Sequence, residues 1–194
     1  SQVNERWLVW LWENGFLEVI KEKIKDPTRG HGLTELNYLI RMAEKVPKTV
    51  VDIILEIPVS AETFNPVVVN HFLLIFSMLP AKHLRRVVQK IRDEKWIPLM
   101  DSFNQWGFEF EKMLQALANV KNYKSILVLA EAILAVRTKE EIEMSPNGYR
   151  SDNPFYFNDL SYIKVFEYLT NINDEYVEQA LVLTTKIMGK IVLL

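Results

Sequence analysis

Apolar residues recur along this chain at helical spacing, and the clearest case runs from Asn65 to Glu94. Its first half, from Pro66 to Leu79, is apolar on almost every side. Its second half places Leu84, Val87, Val88 and Ile91 on one face, with Lys82, Arg85, Arg86, Lys90 and Arg92 elsewhere. Pro80 sits at the joint. The pattern predicts a buried helix followed directly by a half-buried one, which is the packing unit of stacked helical hairpins.

The same pattern recurs on both sides. Asn4 is placed to cap a first helix through about Glu13, and Asn14-Gly15 interrupts it. Leu17, Ile20 and Ile24 then form a stripe, and the Pro and Gly content of 26–32 reads as a loop. Thr34 opens a helix with Leu36, Leu39, Ile40 and Ala43 on one side; Pro47 marks a joint, and Val50, Val51, Ile54 and Ile57 continue beyond it. Pro47 and Pro80 stand 33 residues apart, a hairpin-repeat period. A third copy places Val165, Phe166, Tyr168 and Leu169 before the turn Asn171–Asp174, and Val177, Ala180, Leu181 and Thr184 after it. Between the copies, 98–106 and 108–120 read as a helix pair broken at Gly107, and 123–136 as one helix buried on several sides. From Thr138 to Asn158 the pattern fails, with turn signals at Ser145–Gly148 and Ser151–Pro154. The expectation is a single α-helical repeat domain over 1–194, with 138–158 as a loop insertion.

Composition narrows the reading without overturning it. At 194 residues, 49% apolar and 25% charged, the chain has the ordinary globular mixture and length enough for a sizeable core. The net charge of −2 argues against a domain built to hold a nucleic-acid backbone, which is usually basic. The lack of cysteine removes disulfides and thiolate metal sites. The apolar runs at 7–12 and 72–79 fall far short of a membrane span. A cytoplasmic location is the resulting expectation. A start without Met and an apolar ending at Lys190–Leu194 suggest an excised piece of a longer protein, or a processed chain.

The helix–Pro–helix units around Pro47 and Pro80, with the turn at Asn171–Asp174, resemble HEAT and armadillo-type repeats over residues 33 to 194. The nearest thing to the Asp–Arg ladder of strict HEAT units is Asp52 in one unit reaching Arg85 or Arg86 in the next. Tetratricopeptide repeats are less similar, because their small-residue positions are missing. The resemblance implies an all-α fold, a right-handed superhelix of stacked antiparallel helix pairs. It also implies a concave face that binds proteins and in some members nucleic acid.

Three stretches stand out as candidate binding sites. The first is the basic helix, with Lys82, Arg85, Arg86 and Lys90, where clustered cations attract anions; the plain alternative is a solvated outer face balanced by Asp93 and Glu94. The second is the loop carrying Tyr149, Arg150, Phe155, Tyr156 and Phe157, the composition of a binding hot spot; the alternative is that its aromatics tuck between helices and pin the loop. The third is Trp7, Trp10, Trp12 and Phe16. Trp7 and Trp10 share a helix face and are expected in the core, whereas Trp12 points away and is expected to be exposed.

His31, His71 and His83 lack metal-ligand spacing, and His71 is expected to satisfy a local hydrogen bond. Neither a glycine-rich phosphate cradle nor a nucleophile elbow occurs. No catalytic residue, metal or cofactor is therefore expected. The leading function is a scaffold or adaptor that binds a protein partner or other domains of its parent chain. The alternative is a nucleic-acid-binding HEAT-like domain, of the kind found in DNA glycosylases, using the basic helix face.

Overall fold

The computed structural model describes residues 2–26, 34–99, 107–140, 156 and 159–192. The described residues are mostly helical and contain no strand, only an isolated bridge residue at Val136. The fold is all-α. The helices are α1 (Gln2–Glu13), α2 (Val19–Ile24), α3 (Thr34–Ala43), α4 (Pro47–Leu55), α5 (Pro66–Met78) and α6 (Ala81–Asp93). They continue with α7 (Trp96–Leu99), α8 (Gly107–Asn119), α9 (Tyr123–Ile133), α10 (Asp159–Thr170) and α11 (Asp174–Val192).

Local chemistry sets the joints. Gly15 adopts φ 75°, a left-handed conformation that suits glycine and lets the chain reverse between α1 and α2. Pro47 and Pro66 each occupy the first turn of a helix, where a missing N–H costs nothing. Asn65 caps α5, its Oδ1 accepting from the N–H groups of Val67 (2.9 Å) and Val68 (3.3 Å). Asn122 caps α9 in the same way, through the N–H of Ser125. Pro80 cannot continue α5, so α6 starts at once.

The helices pack in two files. In one file α3 lies on α5, α5 on α8 and α8 on α10. In the other α1 lies on α4, α4 on α6, α6 on α9 and α9 on α11. The files touch through α3–α4, α6–α8, α8–α9 and α9–α10. The buried side chains from Leu8 in α1 to Ile187 in α11 belong to one hydrophobic cluster. This arrangement explains why α5 is apolar nearly all round: α2, α3 and α8 pack on it, and Val68, Val69, Phe72, Leu73, Ile75 and Phe76 are buried. The amphipathic α6 buries only Leu84, Val87, Val88, Ile91 and the stem of Lys90.

Several expectations change. Helix α1 already includes residues 2 and 3, so Asn4 lies inside it and is not its cap. The pair expected from 98–106 and 108–120 is not the observed one. Helix α7 packs on α6 and α9, and α8 pairs with α9. Residues 100–106 lie outside the described residues. The helix expected over 123–136 stops at Ile133, and helical backbone resumes at Lys139 and Glu140. Of the expected insertion, only 138–140 and Tyr156 are described.

Candidate functional site

At the edge of the stack, α1 packs on α4. Leu8 and Leu11 take the covered face, and Glu5 accepts a 3.0 Å hydrogen bond from Thr49 Oγ1 on α4. Trp7 and Trp10 sit three residues apart beside that face and stack on each other, centroids 4.9 Å apart and planes within 10°. They remain 52% and 48% exposed, and Phe16 is 64% exposed. The three rings and Tyr38 of α3 wall a groove of about 420 Å³, which the buried Leu11 and Leu17 also line. Two charged residues line it as well. Glu35 is committed to Lys23 at 2.7 Å. Arg41 donates from Nε to the Asn37 carbonyl (3.3 Å), and among the described residues no carboxylate pairs with it.

The expected roles of the tryptophans are therefore reversed. Trp12 is half-buried against the core. Its indole N–H donates to Oε2 of Glu56, the C-cap of α4 (3.1 Å), and Lys21 Nζ stands 4.7 Å from its ring centroid. Trp12 lies one turn after Leu8, so it follows the covered face, while Trp7 and Trp10 fall just beyond the reach of α4.

The basic helix divides. Lys82 and Arg85 are exposed. Arg86 forms an ion pair with Asp52 across the α4–α6 contact, and Lys48 pairs with the same carboxylate at 2.7 Å. The reach from Asp52 to the next unit is thus made by Arg86. His83 stays neutral near pH 7, because partial burial and then the Lys82 charge lower its pKa. Lys90 is a correction. It is only 8% exposed, its Nζ bound to Glu94 Oε1 at 2.6 Å and reaching the Leu55 carbonyl at 3.5 Å, so it serves the core and not an open face.

Asp52 gives this cluster a pH dependence. Partial burial pushes its pKa up, but the hydrogen bonds and charges of Lys48 and Arg86 outweigh that and hold it below the usual value. A lowered folded pKa means the pairing stabilises the fold above the unfolded value of about 4 and is lost as pH falls through the folded value. The carboxylate is about a third exposed, so we expect only about 0.5 kcal/mol from it. Asp52→Asn should lower the unfolding midpoint slightly at pH 7. In urea titrations wild type and variant should converge as pH falls through the folded pKa of Asp52, and a gap that does not narrow in acid would contradict the assignment.

Tyr149, Arg150, Phe155 and Phe157 lie outside the described residues. Tyr156 is described, and it is buried, with the Arg137 guanidinium 5.2 Å from its ring centroid. That is a ring pinned between elements, not an exposed anchor. His71 meets its expectation by donating from Nδ1 to the Val67 carbonyl at 2.7 Å.

The stripe expected after the turn, Val177, Ala180, Leu181 and Thr184, is divided by the structure: Ala180 is buried, but Val177 and Leu181 are exposed. Helix α11 buries Ala180, Leu183 and Ile187, yet Val177, Leu181, Val182, Met188 and Val192 are all exposed. The signal was present in the sequence as a second apolar stripe one residue out of phase with the first. Among the described residues no group of three or more His, Asp or Glu could hold a metal ion, and no helix is long and apolar enough to cross a membrane. Comparison with family models, curated proteins and solved structures finds no match to the chain.

Proposed function

We propose that this chain is a non-catalytic α-solenoid of the HEAT or armadillo kind, a right-handed superhelix that serves as a protein-binding scaffold. The alternating file packing and the Asp52–Arg86 link between successive units support the solenoid reading. The observation that carries the binding reading is the open Trp7–Trp10 stack with Phe16 and Tyr38 around one groove. Large rigid aromatics bury much area at small entropic cost and form the anchors of protein interfaces. A groove of this volume takes two or three apolar side chains, and Arg41 at its wall favours a carboxylate beside them. The partner is thus a peptide segment pairing bulky apolar residues with an acidic one.

Selection of a random peptide library on the immobilised chain tests this. Enriched peptides should carry apolar residues next to Asp or Glu. Trp10→Ala should weaken them about 30-fold, the loss typical of a 2 kcal/mol anchor. Peptides that bind the Trp7→Ala/Trp10→Ala variant unchanged would end the proposal.

Lys48 and Arg86 paired with Asp52, and Lys82 and Arg85 exposed on the same helix as Arg86, favour a second reading, an anion-binding face for nucleic acid. A fluorescent oligonucleotide that fails to bind even at low salt would remove it.

A further inference from the structure

The acids of α6 do not balance its cations in the way the sequence allows. Asp93 pairs with Arg92 at 2.8 Å and Glu94 with Lys90 at 2.6 Å, both at the far end of the helix. The first turn holds Lys82 and His83 and no acidic residue. Lys82 and Arg86 stand one turn apart on α6, as Lys48 and Asp52 do on α4. Arg86 crosses to Asp52 and sets the two pairs side by side. The charges of Lys82, Asp52, Arg86 and Lys48 all act on the His83 ring, so the five side chains form one patch. With His83 neutral, three cations against one carboxylate leave it two positive charges. Asp52 does not exhaust their donors. Arg86 gives it only Nη1 of a guanidinium with five N–H groups, and Lys48 spends one of three. Lys82 is exposed, and no carboxylate pairs with it among the described residues.

We infer that this patch holds one phosphomonoester group, carried on a phosphorylated serine or threonine of a protein partner. The inference rests on the anion-binding reading of this face and names a different carrier for the anion. A phosphomonoester carries close to two negative charges at pH 7, which matches the patch. Its oxygens accept from donors on both helices. Asp52 holds Arg86 and Lys48 in place before the anion arrives, so less side-chain entropy is lost on binding. A nucleic acid instead needs a row of cations that follows its phosphates. The face does not continue as such a row, because Arg92 further along α6 is taken by Asp93 and stands 3.9 Å from Glu131 of α9.

NMR titration of the whole chain tests this, with a short end-capped phosphoserine peptide over about 0.1–10 mM, the affinity class of a single-group contact. Its unphosphorylated twin is the blank. The phosphopeptide should move the imidazole resonances of His83. It should also raise the pH at which that ring titrates, because an anion beside it favours the charged form. The twin should do neither. Lys48→Ala with Lys82→Ala should weaken the phosphopeptide about tenfold while the circular dichroism spectrum stays helical. A phosphopeptide that binds no better than its twin, beside a single-stranded oligonucleotide without terminal phosphate that does bind, would overturn the inference and leave the nucleic-acid reading standing. Failure of both probes at low salt would remove the two together. A phosphopeptide indifferent to the double substitution would place the anion elsewhere and overturn the inference as well.

Discussion

Asn65→Ala is expected to lower the stability of the chain by about 2–4 kcal/mol, although it removes only a small polar side chain. Asn65 is completely buried. Its Oδ1 satisfies two of the N–H groups that the start of α5 leaves without partners inside the helix. Its Nδ2 donates to the carbonyls of Asp26 at 2.6 Å and Lys23 at 3.1 Å, at the end of α2. One amide therefore fastens the C-terminus of α2 to the N-terminus of α5. The cap contributes about 1–2 kcal/mol. Loss of the bonds to the half-buried Asp26 and Lys23 carbonyls adds about 1–2 more; the Lys23 carbonyl keeps a bond from the Asp26 N–H at 3.2 Å and suffers less. For a chain of this length the thermal midpoint should fall by roughly 5–15 °C. Asn65→Asp separates the two halves of the role. It keeps the cap but turns an acceptor toward two carbonyl oxygens, so it should be as damaging as alanine at pH 7. It should recover partly at acid pH, where a protonated carboxyl can donate. An alanine variant within 1 kcal/mol of wild type would show that the amide is not the fastening.

The halves of Asn65's role were not equally legible. A capping Asn before Pro at the start of an apolar helix can be read locally, because cap and first turn are neighbours in sequence. The bonds to Lys23 and Asp26 span 42 and 39 residues, and no spacing rule predicts them. The same divide runs through the rest of the chain. The stripes of α3, α5 and α6 and the joints at Pro47 and Pro80 follow from periodicity and backbone sterics. Periodicity says which residues share a face, but not whether another helix covers that face. Trp7 and Trp10 share a face as expected, yet α1 lies at the end of its file and that face stays open. Lys90 fails for the opposite reason. Its Glu94 partner one turn on was visible, but burial of the ammonium depends on α4 closing over it with the Leu55 carbonyl. The α8–α9 pairing was missed although only residues 120–122 separate the two helices, because Gly107 was read as the break of a hairpin and drew α8 to the segment before it.

Trp96→Ala is expected to cost more than any other single truncation, about 3–5 kcal/mol. Trp96 is completely buried, its centroid 5.7 Å from that of Phe76 and 6.2 Å from that of Phe72. Alanine would leave a void beside both rings of α5. It would also leave Glu94 without the indole N–H that donates to its Oε2 at 2.8 Å. That carboxylate is a hub, since it also accepts from Lys90 Nζ at 2.6 Å and from the Val59 N–H at 3.3 Å. Helix α7 has four residues, too few to hold itself, and Lys95 before it adopts φ 53°, which costs a non-glycine residue about 1 kcal/mol. The indole is what compensates for that turn. Trp96→Phe keeps the ring packing and loses only the hydrogen bond, so it should cost about 1–2 kcal/mol. A double-mutant cycle with Glu94→Gln measures the coupling in urea titrations, and we expect at least 1 kcal/mol between the two sites. Additive effects would mean that the indole and the carboxylate act separately, and the loss in Trp96→Ala would then be cavity alone. Because α7 packs on both α6 and α9, the void should also loosen the contact between those two helices. Amide exchange in α6 and α9 should accordingly rise in Trp96→Ala while that in α1 stays as it is.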